Sequence, residues 1–304
     1  MLVVDSIPAC GRILIVRLRS LGDCVVTTPA LHLLKRARPD VEISVIVEER
    51  FAPVFTDNPD VHAVFPPSPA AALAARPHLT LNLHGGPRSA WLTVASLARR
   101  RAGFAHYRTG QWAYNVRLPR AQEILGEERA VHTAEHLAAA VFHLGVPRCE
   151  VPRARLFAPP APARAPYAVI HAFASQADKT WPADRFAAVA RYLRSDLRLE
   201  PVFIGAAPDD FSPFAGSECV RGAPLKQAMT LLSGASVFVG NDSGPAHMAA
   251  AFGIPLVVLF GSSHADQWRP WRTEAEIIVA PPDVRVVPCE RVQSAIERLK
   301  VRAA

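Results

Sequence analysis

Two apolar runs, Ala235 to Val239 and Pro255 to Phe260, enclose the small polar turn Gly240-Asn241-Asp242-Ser243-Gly244-Pro245-Ala246-His247 and then Met248-Ala249-Ala250-Ala251-Phe252. Short apolar runs without alternation read as strands buried on both faces, the condition of a parallel sheet. A parallel pair needs a crossover, and the alanine-rich segment between the runs supplies it as a helix. The turn then lies at the carboxyl end of a strand, where α/β sheets bind ligands. Asp242 and Ser243 can cap the helix, and Gly244 lets a ligand approach the backbone. Helix N-terminal N–H groups favour an anion such as phosphate. An ordinary capped turn has the same local pattern, so the rest of the chain must decide.

Read in order, the chain repeats that unit. Arg12 to Val16 is a buried strand, and a helix is expected from about Thr28 to Arg38 with Pro29 in its first turn. Strands follow at 41–47, 61–65 and 78–83, with a short helix at 50–55 and longer ones at 89–100 and 133–144. The proline-dense stretch from Ala158 to Pro166 cannot join a helix or sheet interior. It divides a first domain, 1–158, from a linker, 159–166, and a second domain, 167–304. There the series resumes with strand 167–171, helix 183–194, strand 201–204, helix 225–233, the segment around Asp242, and a charged helix at 290–300. The fold class expected is α/β, with two Rossmann-like doubly wound parallel sheets facing across a cleft.

At 304 residues, half of them apolar, the chain suits two ordinary globular domains. No apolar run approaches the roughly 18 residues of a membrane span, and the N-terminus lacks a signal peptide's pattern. A cytoplasmic protein is expected. Five scattered cysteines without a C-x-x-C pair point to reduced thiols. The net charge of +7 fits an anionic substrate or an anionic membrane surface. Nucleic acid is not expected as a partner, because the basic residues are rarely interleaved with aromatics.

Three strand ends carry candidate chemistry. Arg17-Leu18-Arg19-Ser20-Leu21-Gly22-Asp23 follows the first strand. A carboxylate there points into the ligand crevice and can act as a general base, while Arg17 and Arg19 add positive charge. Asp23 could equally cap the helix, unless Thr27 or Thr28 does so. Asp178-Lys179-Thr180-Trp181-Pro182 places a lysine where a phosphate would lie. Asp209, after Phe203-Ile204-Gly205, could hold ribose hydroxyls. The glycine-rich dinucleotide and P-loop signatures and G-x-S-x-G are missing. His132-Thr133-Ala134-Glu135-His136 matches the H-x-x-E-H peptidase pattern, but its alanine-rich helical surroundings favour a structural role.

Together these residues resemble the family 9 glycosyltransferases, the ADP-heptose–lipopolysaccharide heptosyltransferases. The resemblance runs through Ile13 to Arg17 with Gly22-Asp23, Thr27 to Leu31, Asn58-Pro59 and Gly86 to Ala90. It continues through Lys179 to Pro182, Gly240 to His247 and Phe260-Gly261-Ser262, in family order. The chain departs from the family at Ala172 to Ser175 and at Ser262-Ser263-His264, both beside the expected donor pocket. The resemblance implies a GT-B fold, with the acceptor on the first domain and the nucleotide sugar on the second. It also implies inversion at the anomeric carbon, with neither metal nor cofactor, and a last helix that packs back across the first domain.

On that resemblance Asp23 is the base. Lys179, Asp242, Ser243, Gly244, His247 and Asp209 are the donor residues, and Gly22, Arg17, Arg19, Arg50 and Arg88 the acceptor residues. The partners implied are ADP-heptose or a related nucleotide sugar, a lipopolysaccharide-core acceptor, and peripheral contact with the inner membrane face. The alternatives are the same fold moving another nucleotide sugar, one acting on a protein, or a non-catalytic nucleotide-sugar-binding protein.

Overall fold

The computed structural model describes residues 2–301. The chain divides into two compact units, Met1–Arg155 and Leu156–Ala304. The first comprises β1 (Arg12–Val16), α1 (Leu21–Ala37), β2 (Glu42–Ile46), β3 (Ala63–Phe65), α2 (Pro69–Ala74), β4 (Leu79–Asn82), α3 (Pro87–Ala95), β5 (Arg100–Phe104), β6 (Val116–Leu118), α4 (Ala121–Leu125) and α5 (Thr133–Leu144). The second comprises β7 (Tyr167–His171), α6 (Ala183–Ser195), β8 (Glu200–Gly205), β9 (Glu218–Arg221), α7 (Leu225–Ser233), β10 (Val237–Asn241), α8 (Gly244–Phe252), β11 (Leu256–Phe260), α9 (Ala265–Trp268), β12 (Ala275–Val279) and α10 (Cys289–Arg298).

Both sheets are six-stranded and parallel throughout. The strand orders are β3-β2-β1-β4-β5-β6 and β12-β11-β10-β7-β8-β9. Each sheet begins in its middle, runs to one edge, then returns beside its first strand and runs to the other. The order therefore reverses between β1 and β4, and again between β7 and β10. At such a switch point the two adjacent crossovers leave in opposite directions and open a crevice at the strand ends. Both expected doubly wound, Rossmann-like α/β units are present.

The central strands are buried because their residues are apolar on both faces. Leu14, Ile15 and Val16 of β1 and Val237, Phe238 and Val239 of β10 have no exposed surface. Burying each such side chain is worth about 1.5–3 kcal/mol. Helix α10 turns Val292, Ala295 and Ile296 into the core of the second unit, with Phe186 and Val189 of α6.

Several boundaries differ from the sequence reading. Helix α1 begins at Leu21 rather than near Thr28, so Pro29 lies inside it. Proline cannot donate to the carbonyl four residues back. Here the Thr28 hydroxyl takes that place and donates to the Val25 carbonyl at 2.8 Å. The helix expected over 89–100 stops at Ala95, and Arg100 begins β5. Strands β5, β6, β9 and β12 were not expected. They lie toward the sheet edges, are short or carry charge, and so lack the unbroken apolar run of a central strand.

Candidate active site

At the first switch point the Asp23 carboxylate is held on three sides. The N–H and hydroxyl of Ser20 donate to its Oδ2 at 3.2 and 3.1 Å, closing a capping box at the start of α1. Its Oδ1 accepts from Nη2 of Arg17, whose Nη1 donates to the Leu83 carbonyl. Thr27 and Thr28 do not cap; their hydroxyls turn back to the carbonyls of Asp23 and Val25. Asp23 thus both caps the helix and keeps a quarter of its side chain exposed. A carboxylate offers about four lone-pair sites, and these contacts occupy three. What remains is an oriented acceptor open to solvent, the geometry a general base needs. Arg17 itself is buried, and its Nε has no partner among the described residues.

Asn82 at the end of β4 builds the opposite wall. Its Oδ1 accepts the N–H groups of His84 and Gly85 at 3.0 and 3.1 Å, and its amide donates to the Thr93 hydroxyl. Burial, and then the charge of Arg17, push His84 below the ordinary histidine range, so a neutral imidazole stands beside Asp23. The Tyr107 ring lies where a Cβ on Gly85 would be, 2.7 Å away, and Gly85 has φ +71°. Only glycine fits that position. Neither His84 nor Tyr107 was singled out from the sequence.

Two of the four expected acceptor arginines, Arg50 and Arg88, meet at one acid. Arg50 donates to Glu48 at 2.8 Å, and Arg88 lies 3.6 Å from the same carboxylate. Both side chains remain largely exposed, as does Arg19, while Gly22 is buried in the first turn of α1. Arg50 and Arg88 are therefore neighbours that share the Glu48 carboxylate.

At the second switch point Asn241, wholly buried at the end of β10, joins three segments. Its Oδ1 accepts the Trp181 N–H at 3.1 Å, and its Nδ2 donates to the Ala172 carbonyl at 3.0 Å. Both ends of the loop between β7 and α6 are thereby tied to β10, and Lys179 rides on the turn Ala177–Lys179 between them. Gly261 supports that turn from below. A Cβ there would lie 2.2 Å from the Asp178 carbonyl.

Helix α8 begins at Gly244, and its N-cap Ser243 makes no side-chain cap bond, contrary to the capping expected of Asp242 and Ser243. Instead the Ser243 hydroxyl lies 3.0 Å from Nδ1 of His171. Pro245 has no N–H and the Ala246 N–H turns back to the Ser243 carbonyl at 3.1 Å, so it is the Gly244 N–H and the positive end of α8 that side chains leave to an outside anion. Asp242 and Gly244 sit partly exposed at that turn, and His247 is buried one turn on, 6.3 Å from the Trp268 ring. Asp209 closes the turn after β8, its Oδ2 accepting the Ala206 N–H at 2.6 Å.

The H-x-x-E-H segment is structural. His132 accepts the Ala134 N–H, Glu135 pairs with Arg129 at 2.7 Å, and the His136 ring stacks on Phe104 at 4.1 Å. Burial pushes both His136 and His171 down to about 4. A lowered pKa means that the unfolded chain binds more protons than the folded one, so stability rises with pH. That stability is complete above about 6.5 and is lost as pH falls toward 4. For His136 alone the loss reaches about 3 kcal/mol. The melting temperature should therefore drop between pH 7 and 4.5, and drop less in His136→Met. A flat profile in the parent protein would contradict the neutral, half-buried histidines.

The sequence model of glycosyltransferase family 9 (heptosyltransferase) matches residues 73–299. The chain belongs to that family. It is 24% identical over 334 aligned positions to lipopolysaccharide heptosyltransferase 3 of Escherichia coli K12, covering 91% of this chain and 95% of the relative. The structure of the E. coli ADP-heptose lipopolysaccharide heptosyltransferase II superposes with a TM-score of 0.81 at 20% identity, over 95% of this chain and 98% of that one. E. coli heptosyltransferase WaaC, solved with ADP, gives 0.79 at 22% identity, over 95% and 99%.

In this family 9 glycosyltransferase the departures at Ala172 to Ser175 have a packing consequence. The Phe173 ring meets Phe211 tilted and Phe214 edge-on, with centroids 5.0 and 6.1 Å apart. A Cβ on Gly205 would strike its ring at 2.6 Å, so the β7 loop is fastened to the β8 turn that holds Asp209.

Proposed function

We propose that this glycosyltransferase moves heptose from ADP-heptose to a lipopolysaccharide inner-core acceptor with inversion at the anomeric carbon. The acceptor lies on the first unit and the nucleotide sugar on the second. Asp23 takes the proton of the acceptor hydroxyl, whose oxygen attacks the anomeric carbon as the bond to ADP breaks. The departing diphosphate gathers negative charge, which the α8 N-terminus and Lys179 stabilise. Gly244 allows the close approach, Asp209 holds the ribose, and His247 underpins the helix. Arg17 orients the base, while Arg19, Arg50 and Arg88 face the anionic groups of the acceptor. The reaction takes place in the cytoplasm at the inner membrane face, where a lipid-borne acceptor resides.

The observation that carries this reading is the oriented, solvent-reaching carboxylate of Asp23 at one switch point, in a chain whose other switch point offers an anion site. Membership of the family and the E. coli relatives that handle ADP-heptose support it.

Calorimetric titration with ADP and adenosine tests the donor half. The parent protein should bind ADP more tightly than adenosine. Lys179→Ala should weaken ADP about 10- to 100-fold, since a charge-assisted hydrogen bond is worth about 1.5–3 kcal/mol. The loss should be larger at low salt than at high salt, and adenosine should not notice the change. A parent protein that ignores ADP, or an equal loss for both ligands, overturns the donor assignment.

A further inference from the structure

The positive charge of this chain is concentrated. From Val61 to Gln122 there are eight arginines and no aspartate, glutamate or lysine, a local charge of +8 against +7 for the whole protein. Arg76, Arg88, Arg99, Arg108, Arg117 and Arg120 are exposed. The same segment carries four of the seven large hydrophobic side chains that are exposed among the described residues: Leu73, Trp91, Leu97 and Trp112. Trp91 is 64% exposed and Leu97 72%. The Trp91 and Trp112 rings meet edge to face with centroids 4.9 Å apart, and the Trp112 indole N–H donates to the Thr109 carbonyl at 3.2 Å.

The four hydrophobic residues share one side of the first unit, with Arg88 on α3 and Arg76 and Arg99 just past the ends of α2 and α3. Leu73 is on α2, Trp91 on α3, Leu97 just past its end, and Trp112 in the turn Gln111–Ala113. Helix α3 packs on both α2 and that turn. The crossovers through α1 and α3 run to opposite edges of the sheet. A common right hand therefore puts them on opposite faces, with α5 beside α1. The face of α2 and α3 is left to solvent, both greasy and cationic.

We propose that this face docks on an anionic lipid bilayer. Indole rings favour the headgroup boundary, leucines enter the acyl layer, and guanidinium groups meet lipid phosphates. A second copy of the chain fits poorly, because the segment contains no carboxylate to meet the arginines of its twin. Nucleic acid would use the arginines and the indoles but leaves Leu73 and Leu97 unexplained. The proposal rests on the proposed function in one respect: a lipid-borne acceptor gives the docked enzyme its substrate.

Cosedimentation of the full chain with vesicles tests it, with neither donor nor acceptor present. Binding is expected to phosphatidylglycerol-containing vesicles and not to pure phosphatidylcholine, with a blue shift of tryptophan emission. Trp91→Ser with Trp112→Ser should weaken binding at least tenfold and abolish the shift, at an unchanged melting temperature. Arg76→Glu with Arg99→Glu should weaken it at least tenfold at low salt, with less effect at high salt. No binding to anionic vesicles at low salt, or binding indifferent to both double variants, overturns the proposal. So does tighter binding to duplex or single-stranded DNA, or self-association that the tryptophan variant abolishes in a protein that ignores vesicles. Failure of the donor reading would instead appear in the ADP titration and leave vesicle binding untouched.

Discussion

Asp23→Ala should lower the rate of sugar transfer by about 10²–10⁴-fold, the usual cost of losing a positioned general base, with ADP affinity unchanged. The selectivity follows from where the residue sits. Asp23 belongs to the first unit and is tied to Ser20 and Arg17, whereas the diphosphate site proposed here is built from the second. The substitution also removes a helix cap, at about 0.5–2 kcal/mol, and leaves Arg17 buried beside the Leu83 carbonyl without its carboxylate. Asp23→Asn separates the two roles. It keeps an oxygen for the Ser20 N–H and hydroxyl but removes the basic carboxylate. Its amide N–H group then faces Arg17, so its stability should lie between those of the parent and the alanine variant, while its turnover falls with that of the alanine variant. Near-normal turnover in Asp23→Asn would show that capping is the residue's whole purpose.

How far such residues can be read from sequence depends on what their partners are. The central strands were legible because Ile13 to Val16 and Leu256 to Phe260 are apolar on every side, a pattern that needs no knowledge of neighbours. The edge strands β6 and β9 were not, because their pairing depends on strands distant in sequence rather than on their own composition. The start of α1 was misplaced because Pro29 looked like a first-turn proline, when the Thr28 hydroxyl makes it tolerable within the helix.

The same contrast holds within the site. Asp23 and Lys179 declared themselves by charge at strand ends. Arg50 and Arg88 could be read from the sequence either as acceptor cations or as partners of Glu48 and Glu49, and only three dimensions show that Glu48 draws both. The most telling omission is a pair. Asn82 and Asn241 each end the strand that returns beside its sheet's first strand, and each is fully buried. A polar residue closing an apolar run was a signal, since buried amides must find partners, but nothing local said which loops they would hold.

Asn241→Ala should therefore act at a distance from any ligand. It deprives the Trp181 N–H of its acceptor and the Ala172 carbonyl of its donor, both in a buried setting. Each unsatisfied group costs about 1–3 kcal/mol, so denaturant unfolding of the second unit should weaken by roughly 2–6 kcal/mol. The loop carrying Lys179 then loses its ties to β10 at both ends, and ordering it again on binding takes free energy from the ligand. ADP affinity should fall in Asn241→Ala even where the protein is still fully folded, and it should fall less in Lys179→Ala/Asn241→Ala than the two single losses added together. Two residues that act through one loop cannot be independent. Strict additivity of the losses would mean that Asn241 supports the sheet alone, with the Lys179 loop positioned by the Gly261 contact instead.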